Sequence, residues 1–374
     1  MYRIPALTLV AMLFAAQTSA HHGFGSFDRS KEIEVEGTVI DLDFVNPHSY
    51  VNFNSVGPDG AVIEMRCEMR AANVLRRSGW SRDMFPAGVH IVITGRPHRD
   101  DPSSCYAETL AIGDAPTLAR YDQLDEATGT ERVDRALRLP SGVINLSGDW
   151  AQEQYLIARP PDGGRGGLVP KSMVAAVTAG DLAFSDVPGA GWGARPVNLT
   201  EAGVAAADAL RNAPPEANPR LRCEITSVLF DWVFDGPINR IAQSENAITL
   251  EYGRGLTRTV NMDTDHPSGI TPSLSGHSIG HWDGDTLVVD TVGFVPGSLA
   301  WPVPHSDELH VVERFMLDPE TMALKRDYVA EDPVYYTDNY VGSDTVLPAD
   351  VPFAVDQCKE LAYEYRSVEE DAAP

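Results

Sequence analysis

The chain has 374 residues, enough for two ordinary domains. Its 54 acidic residues against 29 Lys and Arg leave a net charge of −25, which argues against a nucleic-acid partner and against adhesion to anionic lipid. A hydrophobic fraction of 43% and a mean hydropathy of −0.18 belong to a globular protein, not a disordered or multi-span one, and 31 Gly with 27 Pro favour short strands and turns.

The first twenty residues read as an address. Arg3 precedes the apolar run Ile4–Ala16, and Gln17-Thr18-Ser19-Ala20 supplies a small-residue cleavage region, the order of a secretory signal peptide. The run is short for a membrane span, no Cys adjoins the cleavage point, and no second long apolar run follows. The expected location is periplasmic or secreted, without a membrane anchor after cleavage.

Residues 21–113 read as one β domain. Lys31–Phe44 is a long strand whose apolar phase shifts beside Gly37, from Ile33 and Val35 to Ile40, Leu42 and Phe44, which predicts a bulge or bend. Asn46-Pro47 marks a turn before a strand at Val51 and Phe53. Pro58-Asp59-Gly60 turns into a strand carrying Ile63, Met65 and Cys67. A helix over Arg70–Arg77 closes at Gly79, and Val89–Thr94 and Tyr106–Ile112 are two further strands. Three strands, a helix and two strands with a bent first strand match a five-stranded OB-type barrel.

Residues 114–145 mix charge with Pro and Gly and read as a linker. Residues 146–374 read as a larger antiparallel β-barrel or sandwich, lipocalin-like being one form. RPPDGGRGGL, from Arg159 to Leu168, is glycine-rich, but it lacks a strand–loop–helix frame and a Lys-Ser/Thr ending, so it reads as a loop and not a phosphate cradle. Thr200 caps a helix through Ala209. Strands follow at Asn239–Gln243, Ala247–Tyr252 and Leu256–Met262, then a hairpin of His277–Trp282 and Thr286–Phe294 about Asp283-Gly284, then another of Leu309–Leu317 and Met322–Ala330. The domain split prefers disulfides Cys67–Cys105 and Cys223–Cys358 among three pairings, and no zinc-type cysteine spacing occurs.

His21-His22-Gly-Phe, Phe27-Asp28, Gly37-Thr-Val, Asn46-Pro47-His48, Leu75-Arg76-Arg77 and Gly79-Trp80 resemble a group of exported bacterial proteins described as a domain of unknown function. Gly276-His277-Ser278-Ile279-Gly280, Trp282, Gly284–Thr291 and His305-Ser306-Asp307 resemble a second set of uncharacterised exported proteins. In that set an Arg is usual where His281 stands, and Cys67 with Cys105 is particular to this chain. Neither resemblance implies an activity.

Two constellations carry chemistry. With cleavage after Ala20, the α-amine and ring of His21 can chelate one ion, and nitrogen donors in a tetragonal arrangement favour Cu(II). His48 could add a nitrogen and Glu68 an oxygen, with His22 competing; the alternative is a mobile, solvated terminus. In the second hairpin, a two-residue turn at Asp283-Gly284 sets His277 opposite Asp290, facing the interior with Ile279 and Val288. Such a pair can do acid/base work, with His305 and Glu313 completing the site, or it can simply close a barrel end. Three functions stand open: a periplasmic binding protein holding a small apolar ligand in the C-terminal domain and copper at the terminus; a hydrolase, lyase or isomerase using His277 and Asp290; or an envelope protein-interaction module. No nucleophile-elbow, metalloprotease, nucleotide or EF-hand motif is present.

Overall fold

A computed structural model describes residues 26–124, 135–163, 166–187, 195–214, 217–233 and 237–358. The signal segment, His21 and His22 lie outside the described residues. The protein is mainly β and holds two closed barrels.

The first barrel is built from β1 (Ile33–Asp43), β2 (Tyr50–Val56), β3 (Val62–Glu68), β4 (His90–Pro97) and β5 (Ser104–Ile112), with helix α1 (Ala72–Arg77) between β3 and β4. The strand order β3-β2-β1-β4-β5 closes through a parallel β3–β5 pairing, and β6 (Leu118–Ala119) adds to the outer edge of β5. The apolar phase shift has a physical counterpart: the β1–β2 register slips between Val39 and Asp41. Gly37 makes the curl feasible, because a Cβ there would fall 2.2 Å from the Asn54 carbonyl oxygen. The interior is apolar, with Val51, Phe53, Ile91, Ile93 and Leu110 fully sequestered. Cys67 faces Cys105 across the closing pair, and the two form a disulfide with Cα atoms 4.4 Å apart.

The second barrel runs β10 (Ile238–Gln243), β11 (Ala247–Glu251), β12 (Thr257–Met262), β13 (His277–Asp283), β14 (Thr286–Val292), β17 (His310–Leu317), β18 (Leu324–Glu331), β19 (Tyr340–Pro348) and β7 (Gly148–Ala151), which pairs back to β10. Between β7 and β10 come the hairpin β8 (Tyr155–Ala158) and β9 (Gly167–Pro170), then α2 (Val174–Ala179) and α3 (Glu201–Arg211). The Thr200 hydroxyl accepts from the Gly203 amide at 3.1 Å and so caps α3. A short hairpin, β15 (Gly297–Ala300) and β16 (Val303–His305), is an excursion between β14 and β17.

The ladder is antiparallel except at one place. β12 and β13 pair in parallel, because residues 263–276 carry the chain back across the barrel before β13 starts. A nine-strand ring is wider than its own inward side chains fill. The segment 224–233 enters the lumen, and Trp232 packs edge-on against Tyr252 and Phe315 at 5.9 and 5.8 Å. The rest is filled by charge. Arg326 is fully buried and forks onto Asp344 at 2.6 and 3.1 Å, reaches Glu313 at 3.1 Å, and donates to the Val228 and Leu229 carbonyls. Arg258, equally buried, pairs with Glu313 and donates to Ser278 and Thr291.

The barrels meet through a buried polar seam. The Arg77 guanidinium lies 2.7 Å from Asp350 and donates to the Gln152 carbonyl. Gln154 donates to both the Arg77 carbonyl and Asp350. The Asn46 amide donates to the Gln357 carbonyl beside Cys358, which is bonded to Cys223 with Cα atoms 5.7 Å apart.

Candidate functional sites

The hairpin at residues 283–286 turns one residue later than expected. Asp283 pairs with Thr286, so Gly284-Asp285 is the turn, Ile279 faces Asp290, and His277 faces Val292. His277 and Asp290 are therefore diagonal neighbours on one face. That face is the outer one, not the interior: Ser278, Leu287, Val289 and Thr291 are the buried, inward residues. The reason is the polar lumen. Arg258 requires Ser278 and Thr291 as inward acceptors, which reverses the side suggested by Ile279 and Val288.

The pair is joined by a third side chain. His266 Nδ1 lies 2.8 Å from His277 Nδ1, and its Nε2 lies 3.2 Å from Asp290 Oδ1. His310 Nε2 reaches the same oxygen at 3.0 Å, and its Nδ1 stands 3.8 Å from Glu331. The result is a continuous chain of proton-exchanging groups across the outer wall, His277–His266–Asp290–His310. Burial and the neighbouring His266 hold His277 below the ordinary imidazole pKa. That fits a neutral His277 accepting from His266.

The other expected members stand elsewhere. His305 is buried, its Nδ1 3.1 Å from the Ser306 carbonyl, and burial lowers its pKa. The Ser306 hydroxyl donates to Asp332, which also accepts the amides of Ser306, Val334 and Tyr335, so these residues fasten a turn. Glu313 points into the lumen. Burial pushes its carboxyl up, but Arg258 and Arg326 together hold it below its ordinary value. Neither joins His277. Of the expected metal ligands, His48 and Glu68 do meet, at 3.1 Å, although Glu68 also faces Arg120 at 3.6 Å. No group of three or more His, Cys, Asp or Glu among the described residues is arranged to hold a metal ion.

In the lumen expected to hold an apolar ligand, a cavity of about 20 Å³ lies beside His305 and Phe294. A shallower pocket of about 490 Å³ opens at one barrel end, near Asp149 and Met322. A wider cleft of about 940 Å³ lies between the small barrel and the β8–β9 hairpin. Its walls are Phe27, Tyr106 and Tyr121 with Arg29, Arg96, Arg120 and Arg159, and the glycine-rich loop forms its rim through Pro160, Pro161, Gly163 and Gly166. Arg120 lies 3.8 Å over the Tyr106 ring, the Tyr106 and Tyr121 hydroxyls meet at 3.2 Å, and Arg70 stacks on Tyr121 at 4.8 Å. Burial raises the Tyr106 phenol, so it stays neutral.

His266, His310 and the cleft were not singled out by sequence. Strand alternation would have placed His310 on the outer face, opposite in phase to Glu313. The cleft draws on five separated segments, and the tertiary fold unites them.

Comparison with known proteins places residues 9–106 in a match to a family of unknown function, DUF6152. That segment covers most of the small barrel and includes Phe27, Arg29, Arg96 and Tyr106 of the cleft, but not Arg120, Tyr121 or Arg159. No curated protein and no solved structure matches the chain.

Proposed function

We propose that the chain is an exported binding protein whose small-molecule site is the cleft between the small barrel and the β8–β9 hairpin. The observation that carries this reading is the cleft itself: about 940 Å³, within the size range of ligand pockets, with three aromatic rings and converging guanidinium groups on its walls. Among the described residues the lumen of the large barrel is filled by Trp232 and the Arg258–Glu313–Arg326 charges, and the cavity beside His305 measures about 20 Å³. The acid/base reading has its donors in the outer-wall histidine chain, yet none of them lines a cavity described above.

Native mass spectrometry of protein released from the periplasm tests the proposal. A small-molecule adduct is expected on the wild type and is lost in Ala119→Trp, which fills the cleft from β6. An adduct retained in full by Ala119→Trp would put the site elsewhere.

A separate reading keeps Cu(II) at the mature terminus. It is favoured by His48, whose ring reaches Glu68 on the strand beside Tyr106, the ring against which Phe27 packs. A chain beginning at His21 should bind Cu(II), and one extra residue before His21 should abolish most of that affinity. Equal binding by both forms would remove this reading.

A further inference from the structure

We infer that the cleft takes an organic anion, its carboxylate or phosphate group held by Arg120 and Arg159 and its apolar body lying against Phe27 and Ile157; this rests on the binding site proposed above. The chain is strongly acidic, yet four arginines line this cleft against two acids, Glu108 and Asp122. Both acids are already engaged. Glu108 accepts from Arg96 at 2.9 Å, and Asp122 accepts the Ala119 amide at 2.7 Å. Arg159, exposed at the rim, has no partner among the described residues.

The cations behind the wall are short of counter-charge as well. Arg120 is buried, and two of its nitrogens are spent on the carbonyls of Glu68 and Met69. Its nearest carboxylate oxygen, Oε1 of Glu68, stands at 3.6 Å, the other oxygen of that carboxylate faces His48 at 3.1 Å, and the Arg120 Nε finds no acceptor. Arg70 donates only to the Tyr155 carbonyl, at 3.3 Å, and its Nη1 also finds no acceptor. Burial, with the charges of Arg120 and Arg77 adding to it, brings Arg70 down to about 10. Buried guanidinium charge with unmet donors favours an anion nearby, and the exposed Arg159 fork can give it two parallel N–H bonds.

The glycine-rich loop now has a role that its motif alone did not earn. It has no helix behind it and is the turn of a β-hairpin, so it supplies no nucleotide cradle. Its small residues form a low rim over the arginines, and the prolines extend the apolar side. The cleft sets arginine beside apolar surface on both sides, Arg120 with Phe27 on the small barrel and Arg159 with Ile157 on the hairpin.

Calorimetry on the full mature chain at low salt, with octanoate, octyl phosphate, inorganic phosphate and octanol as probes, tests the inference. At least one of the two amphipathic anions should bind ten-fold or more tightly than octanol. Which of them binds tighter separates a carboxylate from a phosphate ligand. Arg159→Ala, at an exposed position that leaves folding intact, should weaken that anion three- to ten-fold and leave octanol unchanged. Octanol binding as well as both anions, or anion affinity untouched by Arg159→Ala, would overturn the anionic class. Inorganic phosphate binding as tightly as octyl phosphate would overturn the apolar half. If neither anion binds, while the native adduct blocked by Ala119→Trp proves uncharged, the anionic class fails and the binding site stands. If the anions bind Ala119→Trp as well as the wild type, the site itself fails.

Discussion

The two barrels solve the same closure problem with opposite interiors. The five-strand barrel is narrow enough for Val, Ile, Leu and Phe to meet across it, and a disulfide sits directly on its closing seam. The nine-strand barrel leaves a lumen that its own wall cannot fill. It admits segment 224–233 and links Arg258, Glu313, Arg326 and Asp344, with Arg326 also donating to the Val228 and Leu229 carbonyls and Arg258 to the Ser278 and Thr291 hydroxyls. Buried ions contribute little net stability against apolar residues of equal size, but breaking such a set is expensive. The large barrel should therefore be sensitive to losing one charge from its set, and the small barrel to losing apolar volume. The cavities follow the same division: the lumen beside His305 keeps a space of about 20 Å³, whereas the outer wall of the narrow barrel borders the cleft of about 940 Å³.

The largest expected effect concerns what holds the large barrel's ends. Cys223 and Cys358 are 135 residues apart, and closing a loop of that length limits the unfolded chain by about 5 kcal/mol in the entropy model, less any native strain. Replacing both by Ser should lower the unfolding midpoint more than replacing Cys67 and Cys105, whose separation is 38 and worth about 4 kcal/mol. Denaturant titration of the two double variants checks the order. The reverse order would show that the small barrel, not the large one, limits stability.

Next comes the buried charge. Glu313→Ala leaves Arg258 and Arg326 facing each other without their shared carboxylate, and should cost about 3–5 kcal/mol. Phe53→Ala in the small barrel should cost a similar amount, about 3–5 kcal/mol, through a cavity. The two differ in kind, so denaturant titration at neutral pH and below the normal carboxylate range separates them: the loss relative to wild type should shrink at the lower pH only for Glu313→Ala, because the wild type then gives up Glu313's own contribution. A loss of Glu313→Ala that is the same at both pH values would show that the charge of Glu313 is not what the large barrel depends on.

A smaller effect belongs to the seam. Arg77→Ala takes the guanidinium from the Gln152 carbonyl and from Asp350, which keeps the Gln154 amide, at about 1–3 kcal/mol. Because the seam couples the barrels, the expected signature is a melt that separates into two transitions. A single cooperative melt would show that the disulfide beside Asn46 suffices to couple them.

How much of this was legible follows the same contrast. The small barrel was readable strand by strand, because an apolar interior writes clean alternation, and even the bulge left its mark at Gly37. The large barrel's strands β10–β14, β17 and β18 were readable in place, but β7, β19 and the short β15–β16 hairpin were not; in β19 the inward Asp344 breaks the pattern that marks a strand. The polar lumen also misled the facing of His277, where Ser278 and Thr291 are the inward residues. The Asp283-Gly284 signal located the hairpin but not its register, because either residue pair around Gly284 can occupy the turn. The β8–β9 hairpin read as loop because its strands are four residues each around glycines. The cleft needed the tertiary fold, since nothing along the chain places Arg120 beside Arg159.

The last contrast is in pH. In the large barrel, burial and His266 lower the pKa of His277, and burial lowers that of His305. A histidine depressed in the native state resists protonation there, while the unfolded chain takes up the proton near 6.5. The stability these residues contribute is therefore complete above about pH 6.5 and falls as the pH drops below it. Glu313, held below its ordinary value, acts in the same sense, but its contribution is lost lower, as the pH falls beneath the normal carboxylate range. The two windows are separable. Amide exchange followed strand by strand at pH 7.5 and pH 5.5 should show β13–β17 opening more readily at the lower pH, with β1–β5 nearly unchanged. Substituting His305 by Gln fills most of its volume without a titrating group, and should flatten part of that loss. If β1–β5 instead loosen first between those pH values, the histidines of the large barrel are not what sets its acid sensitivity, and the contrast between the two interiors does not extend to their titration.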